Sequence, residues 1–120
     1  MTLPVTYMEM HSPDLPASAR FFADVFGWVL EPFADPEYLV AAAGEGPGID
    51  TGLLRSRDGQ PRSVPVVRVP DLDAATGAVT AHGGAVVVEP FVIPGVGRGC
   101  YITDPAGVLV GLHHYDPGAR

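Results

Sequence analysis

The sequence predicts an α+β fold: two βαβββ modules whose strands form a cupped, mostly antiparallel sheet with the helices on its outer face. Three observations carry this expectation. The chain repeats itself in order, and each half holds one segment of helical period among segments of strand period. A content of 47% hydrophobic and 18% charged residues gives enough apolar matter for a core and too little charge for a disordered chain. A length of 120 residues fits one compact domain.

The repeat sets the organisation. Pro4, Pro13, Asp14, Leu15, Ala17 and Gly27 are matched 57 positions later by Pro61, Pro70, Asp71, Leu72, Ala74 and Gly84. After a two-residue insertion the offset becomes 59, pairing Gly48 with Gly107, Ile49 with Val108, Gly52 with Gly111 and Leu53 with Leu112. An ordered series of this kind marks two similar units, here residues 1–58 and 59–120.

In the first module, VTYMEMHS (5–12) alternates as a strand does, with Met8 and Met10 on one face and Tyr7, Glu9 and His11 on the other. The helix LPASARFFADVF (15–26) follows, with Ser12 or Asp14 as its cap, Pro16 in its first turn and Gly27 just past its end. Its apolar stripe is Phe21, Phe22, Val25 and Phe26, and the three phenylalanines at this spacing are expected in the core. WVLEPF (28–33), EYLVAAA (37–43) and IDTGLLR (49–55) read as three strands separated by Pro/Gly turns. The second module repeats the order: strand SVPVVRV (63–69), helix LDAATGAVTAHG (72–83), then strands AVVVEPFVI (85–93), GRGCYIT (97–103) and VLVGLHH (108–114).

Composition narrows the function classes. No apolar run approaches the roughly 20 residues of a membrane span. The start MTLPVTYMEMHS has no basic region followed by an apolar stretch, so the expected location is the cytoplasm. Cys100 is the only cysteine, which excludes an intrachain disulfide and a multi-cysteine zinc motif, and it is expected as a buried filler. The net charge is −7, which disfavours nucleic acid and favours a cationic small ligand. GEGPG and PGVGRG are glycine-rich but have no lysine and open no helix, so neither is a phosphate loop. They are expected as mobile loops.

The segments PDLPASARFFADVFGW, PDLDAATGAVTAHGGA and DPAGVLVGL resemble the vicinal oxygen chelate superfamily, which includes glyoxalase I, extradiol dioxygenases and bleomycin-resistance proteins. The resemblance implies paired βαβββ modules around a cavity and a homodimer, with sites between modules or between chains. It also implies four positions where the enzymes of that superfamily carry divalent-metal ligands. Counting from Asp14, Asp71 and Asp104 gives Tyr7, Val64 and Gly111, and the counterpart of Gly111 in the first module is Gly52. Valine and glycine have no donor side chain, and tyrosine is an uncommon ligand for such an ion. The expectation is therefore no metal and no cofactor, and with them no Lewis acid of the usual kind. The two glycines are expected to widen the floor of the cup.

Several side chains could then line a ligand site. Tyr7, Glu9, Arg68 and His113 are the polar candidates, and Trp28, Phe33, Tyr38, Phe91 and Tyr101 the aromatic walls. Gly52, Leu54, Val64, Val66 and Gly111 complete the lining. Glu9 on an inner face must be solvated, paired or used: it is either an ion-pair partner of Arg68, a recogniser of a cationic or hydroxylated ligand, or a general base. A rearranged metal set from Glu9, His11 and His113 is disfavoured against ordinary strand-end roles. His114 should face away from His113, and His82 complements a helix end. Two classes of function fit. The first is a metal-free binding protein that sequesters a small aromatic natural product, as in antibiotic resistance or self-protection. The second is an enzyme of the same superfamily, a lyase, isomerase or dioxygenase with an unconventional or absent metal site.

Overall fold

The computed structural model describes residues 2–119. It has the ten elements read from the sequence, in the same order: β1 (Val5–Ser12), α1 (Leu15–Phe26), β2 (Leu30–Phe33), β3 (Asp35–Ala41), β4 (Asp50–Arg55), β5 (Arg62–Arg68), α2 (Leu72–Ala81), β6 (Ala85–Ile93), β7 (Gly97–Thr103) and β8 (Leu109–Tyr115). The fold is α+β, built of two βαβββ modules.

The chain divides into a compact unit Tyr7–Val64 and a second made of the residues up to Thr6 with those from Pro65 onward. The amide of Arg68 donates to the carbonyl of Pro4, which ties the N-terminal residues to the second unit.

In the first unit the strand order is β2-β3-β4-β1, antiparallel except for the parallel pair β1–β4. That parallel pair needs a long crossover, which α1, β2 and β3 supply. Asp14 caps α1 by accepting from the amide of Ala17 at 3.2 Å. Ser12 Oγ accepts from the amide of Asp14 and lies 2.6 Å from Ser18 Oγ. Gly27 ends the helix at φ 71°, a left-handed conformation that glycine adopts without strain.

The aromatic stripe of α1 is not core, contrary to the sequence expectation. Phe21, Val25 and Phe26 are each more than half exposed, and of the whole helix Leu15 alone is buried. The rings pack on one another instead: Phe22 stacks on Trp28 with centroids 5.1 Å apart and on Phe26 at 6.0 Å. The helix meets its sheet mainly at β4, so a stripe of helical period had more apolar surface than one strand could cover.

The second unit has the same order, β5-β8-β7-β6, with β5 and β8 parallel. Its helix α2 packs across β6, β7 and β8, over a core of Val69, Leu72, Cys100, Ile102 and Leu112. Cys100 is a buried free thiol within that core. No helix among the described residues is long and apolar enough to cross a membrane.

Candidate functional site

The candidate site of the first module grows from the alternation of β1. Tyr7, Glu9 and His11 share one face of the strand, and the parallel register with β4 sets Glu9 opposite Gly52. On the far side of β4, β3 sets Val40 opposite Gly52 and Tyr38 opposite Leu54. Position 52 has no side chain, and two tyrosines converge on the space this leaves. A Cβ there would lie 2.7 Å from Tyr38 Oη and closer still to Tyr7 Oη. The two hydroxyls are 2.7 Å apart. The Tyr38 hydroxyl donates to Glu9 Oε2 at 2.8 Å, and Glu9 Oε1 lies 2.8 Å from His11 Nε2. A hydrogen-bonded chain thus runs Tyr7, Tyr38, Glu9, His11.

Energetics explain why the chain is so complete. Glu9 is 6% exposed, and a carboxylate taken out of water is costly by several kcal/mol unless charge-assisted hydrogen bonds replace its hydration. Both of its oxygens have such partners within its own module. Burial pushes the Tyr7 hydroxyl up to about 12, opposed by the bond to Tyr38 and reinforced by the charges of Glu9 and Asp50. Burial and then the charge of Glu9 push Tyr38 up much further. Both hydroxyls keep their protons at neutral pH.

The floor expected to open at the glycines is closed. Over Gly52 the tyrosine hydroxyls fill the space. Over Gly111, which faces Val66 across the parallel pair β5–β8, a Cβ would lie 3.0 Å from Val66 Cγ2. Interiors pack to crystal density, so a missing side chain on one strand is taken up by a larger one on its neighbour. In module one that neighbour is polar and in module two it is valine.

In the second module, β8 sets His113 between Arg68 of β5 and Gly99 of β7. The Arg68 guanidinium lies over the Tyr115 ring, 5.1 Å from its centroid, a cation–π geometry. The buried Nε2 of His113 has no hydrogen-bond partner among the described residues. Burial first, and then the charge of Arg68, hold this imidazole below its usual range, so it is neutral at pH 7. Phe91 and Tyr101 lie 6.1 Å apart, and the Phe91 ring fills the space beside Gly99. His114 donates through Nδ1 to the carbonyl of Val69 at 3.2 Å, and His82 does the same to Ala78 at 2.8 Å.

The structure therefore brings Tyr7, Glu9, Tyr38 and Gly52 into one cluster, with Leu54 beside Tyr38 and His11 in the β-ladder. Arg68, Val66, Gly111 and His113 gather in the other module. Trp28 belongs to the aromatic stack of α1, Val64 is core at 1% exposure, and Phe33 is 44% exposed. Sequence reasoning missed that Tyr38 is the partner of Glu9. Pairing across β3 and β4 decides this, and no local pattern carries it. It also missed a cavity of about 320 Å³ beside the end of β1, lined by Met10, His11, Ser12, Ser18, Phe22 and Arg62 among others. That volume is at the small end of ligand sites.

The four positions where the superfamily resemblance puts metal ligands do not fit a metal. Val64, Gly52 and Gly111 offer no donor, and the Tyr7 hydroxyl is bonded to Tyr38. Among the described residues no three His, Cys, Asp or Glu side chains gather as a metal set.

Two βαβββ modules, each with its first and last strands in parallel, define the glyoxalase/bleomycin-resistance class of fold. Within it, residues 7–112 match the family model described as a glyoxalase-like domain, and the chain belongs to that family. The anthracycline biosynthesis protein DnrV of Streptomyces peucetius is 33% identical over 119 residues, covering 84% of this chain and 43% of DnrV. The CFP32 protein of Mycobacterium tuberculosis, provisionally called a glyoxylase, is 29% identical over 115 residues, covering 88% of this chain and 43% of its own. The chain thus spans less than half the length of these relatives. Among solved structures, the Mn(II)-bound glyoxalase from Novosphingobium aromaticivorans superposes with a TM-score of 0.67 at 26% identity, over 99% of this chain and 41% of that one. A methylmalonyl-CoA epimerase has the same TM-score at 17% identity, over 97% and 99% of the two chains, and shows the fold alone.

Proposed function

We propose that this chain is a metal-free small-molecule-binding protein of the glyoxalase-like family, which sequesters a small aromatic natural product. One observation carries the reading. Where the enzymes of the resembled superfamily carry a metal-binding carboxylate, this chain has Gly52 with the Tyr7 and Tyr38 hydroxyls seated over it. In place of a metal donor stand two protonated tyrosine hydroxyls, hydrogen-bonded to each other and, through Tyr38, to Glu9. The likeness to DnrV supports a planar polyketide such as an anthracycline as the ligand. The acidic charge supports one that also bears an amine. Within the first module Tyr7 is the polar group that meets the ligand, with Tyr38 and Glu9 behind it in the hydrogen-bonded chain. The reading includes a homodimer, supported by the exposed aromatic face of α1, and a cytoplasmic location.

A second reading is favoured by the buried carboxylate of Glu9. At the centre of a hydrogen-bonded chain, it could serve as the base of an acid–base enzyme of the same superfamily.

Two measurements test the proposal. A thermal-shift screen against anthracyclines and other polycyclic aromatics should raise the unfolding temperature in a dose-dependent way. Elemental analysis of purified protein should find no stoichiometric transition metal. Absence of any shift sinks the binding reading, and tightly bound metal lost on Glu9→Gln or His113→Gln sinks the metal-free one. Turnover of an aromatic substrate that is abolished in Glu9→Gln would establish the enzyme instead.

A further inference from the structure

We infer that Tyr7 Oη is a dedicated hydrogen-bond acceptor, so that the bound aromatic ligand must present a phenolic hydroxyl or an amine N–H at this point. The inference rests on the binding reading above and deepens it by assigning the ligand's polar group.

Glu9 Oε2 receives the Tyr38 O–H. The other oxygen, Oε1, faces His11 Nε2. A proton held between Oε1 and His11, on either partner, leaves Oε2 an acceptor in both cases. Tyr38 has therefore spent its one hydroxyl proton on Glu9, and a tyrosine hydroxyl carries a single donor. The contact of 2.7 Å between the two tyrosine oxygens then requires Tyr7 to be the donor and Tyr38 the acceptor. Tyr7 in turn has spent its proton, and only its lone pairs remain. Burial holds both protons in place. An ether or quinone oxygen brought against Tyr7 Oη would set lone pair against lone pair, whereas a hydroxyl or ammonium group completes the chain. A polar site of this kind rejects an analogue that cannot supply the missing partner more strongly than an apolar wall does.

The test uses anthraflavic acid, a planar anthraquinone whose two hydroxyls are free of the ring carbonyls, and its dimethyl ether. Affinities are measured by fluorescence titration. The wild-type chain should bind the phenol at least tenfold more tightly than the ether. Tyr7→Phe should erase the preference. Glu9→Gln supplies an amide donor to Tyr38, which lets the chain reverse, and should weaken or invert it. Circular dichroism confirms that each variant is folded, and the wild-type comparison stands without them. Equal affinities, or a preference that survives Tyr7→Phe, overturn the inference while leaving aromatic binding intact. Binding of neither compound, with no shift in the wider screen, overturns the binding reading and this inference with it.

Discussion

The Tyr7 hydroxyl stands in the space that a side chain on Gly52 would need. The two residues lie on parallel neighbouring strands, and the glycine is the condition for the tyrosine's position. A methyl group on residue 52 has to displace Tyr7 Oη, and Tyr38 Oη only 2.7 Å away blocks the simplest retreat.

Gly52→Ala should therefore destabilise the chain by about 2 kcal/mol, combining overpacking with a lost hydrogen bond. Tyr7→Phe alone removes one hydrogen bond, at about 1 kcal/mol. In the double variant the phenylalanine removes the atom nearest the methyl, while Tyr38 Oη at 2.7 Å and the ring carbon Cζ of residue 7 at 3.0 Å still crowd it, so the two effects should sum to somewhat less than their parts. Denaturant melts of the four proteins measure that coupling. Strict additivity would show that Tyr7 does not occupy this space. Gly111→Ala is the control: its methyl meets the side chain of Val66, nearest at Cγ2 at 3.0 Å, and a cost of about 1 kcal/mol or less is expected.

The buried tyrosines predict a late alkaline titration. The Tyr7 hydroxyl is raised from 10.0 to about 12, and Tyr38 is raised further. Between pH 10 and 12 the unfolded chain releases these protons before the folded chain does, so stability falls as pH rises through that window. Absorbance titration should show a late component that diminishes in Tyr7→Phe and in Tyr38→Phe. A wild-type curve without one would remove the buried hydroxyl pair from the account.

Acid acts through His113. Its folded value lies below the 6.5 of the unfolded chain, through burial and the charge of Arg68. The folded state therefore resists the proton that the unfolded state accepts, and stability declines as pH falls below about 6.5. His113→Gln keeps a polar amide and removes the titration, so the melting temperature of the variant should depend less on pH between 7 and 5. Identical pH profiles for the two proteins would assign the acid sensitivity to other groups.

Much of this was legible in the sequence, and the remainder was hidden for physical reasons. The repeat located Gly52 and Gly111 as counterparts, and alternation put Tyr7 beside Glu9, because period and spacing are local properties. What fills the space above a glycine is a property of the neighbouring strand, and here the answers differ: tyrosine hydroxyls in one module and Val66 in the other. The partnership of Glu9 with Tyr38 spans 29 positions and depends on the register of β3 against β4. The helical stripe of α1 was visible as a pattern, but a pattern marks an apolar face without naming what covers it.

That stripe supports the final prediction. The helices α1 and α2 are equivalents in the repeat, yet α2 lies across three strands while α1 leaves Phe21 at 55%, Val25 at 55% and Phe26 at 58% exposure, with Val29 beyond them at 70%. A cluster of large apolar side chains in solvent is unusual for a monomer, and the proposed homodimer would cover it with the same patch of a second copy, as a two-fold interface requires. Phe26→Glu adds a charge to the centre of that patch, and its counterpart in the partner repeats it. Sedimentation should then show the wild type as a dimer and Phe26→Glu as a monomer. Because Phe26 is mostly exposed within one chain, the fold of the monomer should change in stability by about 0.5 kcal/mol or less. A wild-type monomer, or a variant that remains dimeric, would place the interface elsewhere or remove it.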